Sequence, residues 1–196
     1  MSDSPLSETA TDAVEALLDE VTAEPQPQPL LQAENLSGKV AIVSGGSSGI
    51  GRAVAPELAR CGTHVAFCYL DVGDESRREA EEVASELRQM EVRVFFRSCD
   101  VRESSEVGSF VAETDEELGG IDVLVNNAGI GRDSPMWRMT DHDWEAVIRT
   151  NLDGAFYFTR AVAPFMRAQE YGKIVNITSV YGIRTEFGIS NYSSSK

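Results

Sequence analysis

Lysine is scarce in this chain. Lys39, Lys173 and Lys196 are the only three, and arginine brings the basic total to 17 against 32 acidic residues. The formal net charge of −15 argues against a nucleic-acid partner, because phosphates would be repelled. Histidine is rarer still, with two copies, and the three cysteines, Cys61, Cys68 and Cys99, form no CxxC pair. No zinc spacing can be assembled from them, so no metal is expected. The thiols read as reduced, buried groups of a cytoplasmic protein. No apolar run approaches the ~20 residues that a membrane span needs, and the first residues show neither the basic nor the apolar region of a secretory leader. A membrane partner is therefore not expected.

What is present is enough apolar material for a packed core, 42% of the residues. The charge is uneven: residues 1–35 hold eight acids and no base. Within them "AEPQPQP" (23–29) cannot enter a helix or a central strand, since proline fixes φ and lacks a donor. Just before it, "DAVEALLDEV" puts Val14, Leu17, Leu18 and Val21 on one helical face. So short a helix frays in water without a partner. Residues 1–35 are expected to form an acidic, disordered tail, dispensable for fold and chemistry. Residues 36–196 are expected to form one domain.

From Lys39 onward, strand-like and helix-like runs alternate. "KVAIVSGG", "HVAFCYL", "VRVFFRSCD", "IDVLVNNAG" and "GKIVNITSV" read as five strands. Between them lie "GIGRAVAPELARCG", "DESRREAEEVASELRQM", "ESSEVGSFVAETDEELGG" and one long helical pattern from Thr140 to Gln169. Strict alternation implies parallel strands joined by crossovers. Near-continuous apolar strands imply a sheet covered on both faces. The expected fold is α/β, a doubly wound parallel sheet with its ligand at the C-terminal strand ends. Pro56 and Pro164 conflict with the helices that contain them, and a bend is expected at Pro164.

The stretch "SGGSSGIG" (44–51) closes the first strand and opens the first helix. Glycine lets a backbone turn tightly and approach a diphosphate with no Cβ in the way. The free N–H groups of a helix start favour an anion. The spacing is GxxxGxG on Gly45, Gly49 and Gly51. At the far end, "YSSSK" sets Tyr192 and Lys196 four residues apart, on one helical face. A phenol with an ordinary pKa of about 10 becomes a better proton donor when an ammonium lies one turn away.

These motifs, in this order, resemble the classical short-chain dehydrogenase/reductase family, whose glycine loop is TGxxxGxG. Ser44 stands where that family usually has threonine and keeps the hydroxyl. "NNAG" (126–129), Asp100 of "CDV", Asn151 of "TNLDG", Ser179 of "NITSV" and the terminal pair match further family motifs. The resemblance covers about residues 38–196 and implies a Rossmann-like fold and hydride transfer between a nicotinamide cofactor and a carbonyl or alcohol. It implies cofactor contacts from Ser44, Gly45, Ser47, Ser48, Gly49, Ile50 and Gly51. Further contacts are implied from Tyr69, Asp100, Val101, Asn127, Ala128, Gly129, Tyr192 and Lys196. Catalysis would fall to Asn151, Ser179, Tyr192 and Lys196. Tyr192 would give the proton, Ser179 would bond the same oxygen, Lys196 would assist Tyr192 and hold the ribose, and Asn151 would hold a water. Read from sequence alone, Asn151 is better explained as a helix-interior Asn bonded to the backbone.

The cofactor is expected to be NADP rather than NAD. The end of the second strand, where an acid would bond the ribose 2′-hydroxyl, is Tyr69, with Asp71 two residues on. Ser48 occupies a position that is basic in many NADP-selective relatives. Residues 136–196 are similar to 3-oxoacyl-carrier-protein and acetoacetyl-CoA reductases, which suggests an acyl-thioester substrate. Members of the family continue well past the matching lysine, through a helix that builds a dimer or tetramer interface. The sheet is therefore expected to be incomplete at its C-terminus and this segment alone poorly active. The alternative is an inactive nucleotide- or partner-binding remnant of such an enzyme.

Overall fold

The computed structural model describes residues 36–196. The chain divides into two units, Met1–Gln32 and Ala33–Lys196. The expected tail and its Val14/Leu17/Leu18/Val21 face lie outside the described residues.

Five strands form one parallel sheet: β1 (Val40–Val43), β2 (His64–Tyr69), β3 (Val94–Ser98), β4 (Val123–Asn126) and β5 (Lys173–Asn176), in the order β3-β2-β1-β4-β5. Helices α1 (Gly49–Arg60), α2 (Asp74–Arg88) and α3 (Ser104–Leu118) follow the first three strands. Then come α4 (Asp141–Ile148), α5 (Gly154–Ala168) and the short α6 (Ser190–Ser195). The fold is α/β and doubly wound, as the alternation of runs predicted.

The alternation of side chains along β1 decides the two cores. Val40 and Ile42 face one side, where Val107, Phe110 and Val111 of α3 and Phe158 and Val162 of α5 close over them. Ala41 and Val43 face the other, under Ala55 and Ala59 of α1 and Val83 and Leu87 of α2. Fully burying each such aliphatic or aromatic side chain contributes about 1.5–3 kcal/mol. The chain winds from β1 outward through β2 to β3, then returns to the other side of β1 with β4. That reversal opens a crevice above the C-terminal ends of β1 and β4.

Two sequence expectations change. The sheet is not covered everywhere: β5 pairs with β4 and is exposed at all four positions, including Ile174 and Val175. The long helical pattern is broken in the middle by a π-helical segment, Arg149–Asp153. Its i→i+5 bonding inserts a residue and turns Asn151 inward, where it is buried. Pro164 lies inside α5, which runs on to Ala168, and Pro56 lies buried inside α1.

Candidate active site

A cleft of about 710 Å³ lies over the C-terminal strand ends. Its floor at one end is the glycine loop. Gly45 and Gly49 have φ of +66° and +53°, which L side chains rarely adopt. A Cβ on Gly51 would stand 2.2 Å from the Gly45 carbonyl oxygen and 2.6 Å from Asn127 Nδ2. The turn can close only because position 51 lacks a side chain. Gly46, which the motif does not feature, is equally constrained: its Cβ would meet Phe67 Cβ at 2.5 Å.

The loop is tied to the β4 end through Ser44. Its hydroxyl accepts from the backbone N–H groups of Asn127 (3.0 Å) and Ala128 (3.1 Å) and donates to the Val125 carbonyl (3.4 Å). Asn127 Nδ2 donates back to the carbonyls of Ser44 (2.9 Å) and Gly45 (3.0 Å). Ser44 is thus buried with its hydroxyl used inside the fold. Ser44 and Gly51 lie beneath the cleft, whereas Gly45, Ser47, Ser48, Gly49 and Ile50 line it.

Tyr69, Asp100 and Val101 form a second stretch of wall. The Asp100 carboxylate is held by Arg102, whose Nε lies 2.9 Å from Oδ1 and whose backbone N–H donates to it at 3.0 Å. The Arg102 hydrogen bonds keep that carboxyl below the usual carboxylate range. Arg102 lines the cleft too, and sequence reasoning missed it. Asp71 is turned to Arg77 (2.8 Å) and the Gly73 N–H (3.1 Å) and does not line the cleft. Below this wall Cys68 and Cys99 sit side by side in the core. Contact with Cys68, together with burial, holds the Cys99 thiol above its ordinary range.

The opposite end carries Asn127, Ala128, Gly129, Tyr192 and Lys196. Lys196 Nζ donates to the Ile177 carbonyl at 2.8 Å and stands 5.7 Å from the Tyr192 ring centroid. Burial holds its ammonium below the ordinary lysine range. Gly129 is fitted to this group: a Cβ there would come within 3.4 Å of Lys196 Nζ and 3.3 Å of Asn151 Oδ1. Gly182 is fitted to the same turn, with its Cβ position 2.6 Å from the Lys196 carbonyl carbon. Ser179 caps the short 3-10 turn Val180–Gly182, accepting from the Tyr181 N–H at 3.2 Å. Its neighbour Thr178 lines the cleft, while Ser179 itself stands just outside that wall.

Asn151 does not line the main cleft. Its Oδ1 accepts from the Ile130 N–H (2.8 Å), and its Nδ2 donates to the Ile130 carbonyl (3.0 Å) and to Ser195 Oγ (2.9 Å). The backbone reading of this residue therefore holds, with the partner in another segment rather than in its own helix. Asn151 borders a second cavity of about 330 Å³ behind Lys196, lined also by Asn126, Thr159, Asn176 and Ser195. Asn126 donates to Thr159 Oγ1 (3.1 Å) and Asn176 Oδ1 (2.8 Å), and its own buried Oδ1 lacks a protein partner. Among the described residues no cluster of His, Cys, Asp or Glu is arranged to hold a metal.

The sequence model described as short chain dehydrogenase matches residues 39–196. The 3-oxoacyl-[acyl-carrier-protein] reductase FabG of Staphylococcus epidermidis is 39% identical over 158 residues, 81% of this chain and 63% of that protein. FabG of Thermotoga maritima is 38% identical over 161 residues, 82% of this chain and 63% of its own. Among solved structures, NAD+-bound xylitol dehydrogenase superposes with a TM-score of 0.77 at 33% identity, covering 82% of this chain and 60% of that one. Levodione reductase gives 0.75 at 31% identity, covering 81% and 61%. The chain thus spans about 63% of the length of these curated relatives. With the glycine loop, the NNAG turn and the Tyr–Lys pair meeting in one cleft, the chain belongs to the short-chain dehydrogenase family.

Proposed function

We propose that this chain carries the cofactor cleft and proton donor of a nicotinamide-dependent oxidoreductase that acts on a carbonyl or alcohol. The observation that carries the reading is one cleft joining Gly45, Ser47, Ser48, Gly49 and Ile50 to Tyr192 and Lys196, which lie far apart in sequence. The residues fit a dinucleotide. The loop leaves no Cβ where a diphosphate would approach, α1 begins at Gly49, and about 710 Å³ is within the range of ligand sites. Gly45, Ser47, Ser48, Gly49 and Ile50 would hold the diphosphate, and Tyr69, Asp100 and Val101 the adenosine. Tyr192 and Lys196 would hold the nicotinamide half, with Asn127, Ala128 and Gly129 steadying the sheet end and the adenosine side. The nicotinamide, when bound, supplies or takes up the hydride.

The chain's own groups manage the proton. The Tyr192 hydroxyl gives a proton to the carbonyl oxygen during reduction. The Ser179 hydroxyl, whose oxygen accepts from Tyr181 just outside the cleft wall, would turn in to donate to the same oxygen. Lys196, anchored on Ile177, stands beside the Tyr192 ring, where its ammonium would favour the phenolate. The cavity behind Lys196, largely apolar but with Asn126, Thr159 and Asn176 on its wall, is roomy enough for water and would give the ammonium a route to solvent. Asn151 forms one wall of that route.

NADP is the favoured cofactor. Tyr69 ends β2 where an acid would bond a ribose diol, and Asp71 is tied to Arg77 and Gly73 instead. A 3-oxoacyl thioester is the favoured substrate, by likeness to the FabG reductases. Soluble, cytoplasmic operation and self-association as a dimer or tetramer belong to the same reading. The test is kcat/KM for NADPH and NADH with an acetoacetyl thioester, using the protein expressed from its complete coding frame. A preference for NADPH is expected. A clear NADH preference would mean that Asp71 releases Arg77 and reaches the ribose.

A further inference from the structure

Helix α6 presents Tyr192, yet it has little reason to form by itself. It runs only from Ser190 to Ser195, and "SNYSSS" is built from residues of modest helix propensity. Its placement has to come from outside the helix. Two of its side chains are buried, Asn191 at 0% exposure and Ser195 at 8%. They flank Tyr192 at one position before and three after.

Asn191 reaches in one direction. Its Nδ2 donates to the Arg132 carbonyl (2.9 Å), in the segment after β4, and to the Asp143 carbonyl (3.3 Å), in the first turn of α4. Its Oδ1 accepts from the Tyr192 N–H at 2.7 Å, a donor that a helix start leaves without a partner. Ser195 reaches in the other direction. It donates to the Tyr192 carbonyl (2.8 Å) and accepts from Asn151 Nδ2 (2.9 Å), which in turn holds both backbone groups of Ile130. The Tyr192 peptide groups are thereby held on both sides, and both holds end on residues 130–132 of the cleft wall.

We propose that Asn191 and Ser195 are positioning residues that clamp the Tyr192 turn to the cleft wall. Each acts through Tyr192 and not on substrate. The catalytic part of this inference rests on the reading of Tyr192 as proton donor; the clamp itself does not. Proton transfer tolerates little misplacement of the donor, so loosening the clamp lowers turnover before it lowers cofactor affinity.

The test uses Asn191→Ala, the milder Ser195→Ala, and Thr114→Ala as a control for lost stability. Thr114 is buried on α3 and bonded to the Phe110 carbonyl, away from the cleft. Amide hydrogen exchange over residues 190–196 and steady-state kinetics are measured on the complete protein with NADPH. We expect exchange in this segment to rise on the order of 10-fold in both clamp variants, as local opening becomes easier. We expect kcat per folded molecule to fall on the order of 10-fold, with cofactor Kd within about two-fold. Thr114→Ala should change neither. Unchanged exchange at 190–196 in both clamp variants overturns the clamp. Raised exchange with unchanged kcat overturns the catalytic part. A wild type that binds NADPH but reduces no carbonyl refutes the reductase reading, while the exchange result still decides the clamp.

Discussion

The two ends of the cleft are built by different physics. At the glycine end, the shape is made by what is missing: positions 46 and 51 have no room for a Cβ, and positions 45 and 49 need a left-handed backbone. The residues of the turn are local, though they are locked against Phe67 of β2 and Asn127 beyond β4. At the Tyr192 end, a six-residue helix of weak propensity is held to distant segments, by its own Asn191 reaching the Arg132 carbonyl and by Asn151 reaching Ser195. The first end is stiff by sterics and the second by hydrogen bonds. They should fail differently: steric sites collapse when atoms are added, and hydrogen-bonded ones loosen when atoms are removed.

The strongest break should come from Gly51→Ala. One added methyl would lie 2.2 Å from a backbone oxygen, so the loop must move. We expect cofactor affinity to fall on the order of 100-fold, about 2.7 kcal/mol, measured by calorimetric titration with NADPH. An unchanged Kd would show that the loop has slack which its glycines conceal.

Arg102→Ala sharpens the comparison from the middle of the cleft. Its hydrogen bonds hold the Asp100 carboxyl below the ordinary value of 3.8, so the folded state favours the carboxylate. That contribution is fully present above the ordinary carboxylate range and is lost as pH falls through the lowered value. Without Arg102 the Asp100 value should rise. The variant should therefore lose Tm near neutral pH, and the difference from wild type should close as the medium becomes acid. Cofactor affinity should fall only a few-fold, because Arg102 is mostly tied to protein. Equal Tm differences across the range would mean that Arg102 acts through packing instead of charge.

The same contrast explains what could be read from the letters. The alternation of strands and helices, the glycine loop and the Tyr192–Lys196 pair were legible, because period, spacing and turn chemistry are local signals, whereas the order β3-β2-β1-β4-β5 came only from the structure. At β5 two readings met: "KIVN" taken alone reads as buried, whereas a sheet expected to be incomplete leaves such a strand exposed, as it is here. The π-helical segment was hidden because an extra residue within a helical pattern leaves the apolar spacing nearly intact. At Gly49 the loop leaves open space for a Cβ, and the constraint is its φ; the steric demands fall on Gly46 and Gly51. Asn191 and Ser195 gave no signal beyond adjacency to the motif. Their value lies in carbonyl partners on Arg132 and Asp143 and in the Asn151 amide. Arg102, two residues past Asp100, could have been found from charge spacing alone.

The central claim is that the cleft binds a nicotinamide dinucleotide and that Tyr192 delivers the proton. Tyr192→Phe, compared with wild type for NADPH affinity and for turnover of an acetoacetyl thioester, tests it most directly. The account predicts a turnover loss of about 10²–10⁴-fold, with NADPH Kd within about three-fold, under 1 kcal/mol. Turnover close to wild type would contradict it, because another group would then be supplying the proton.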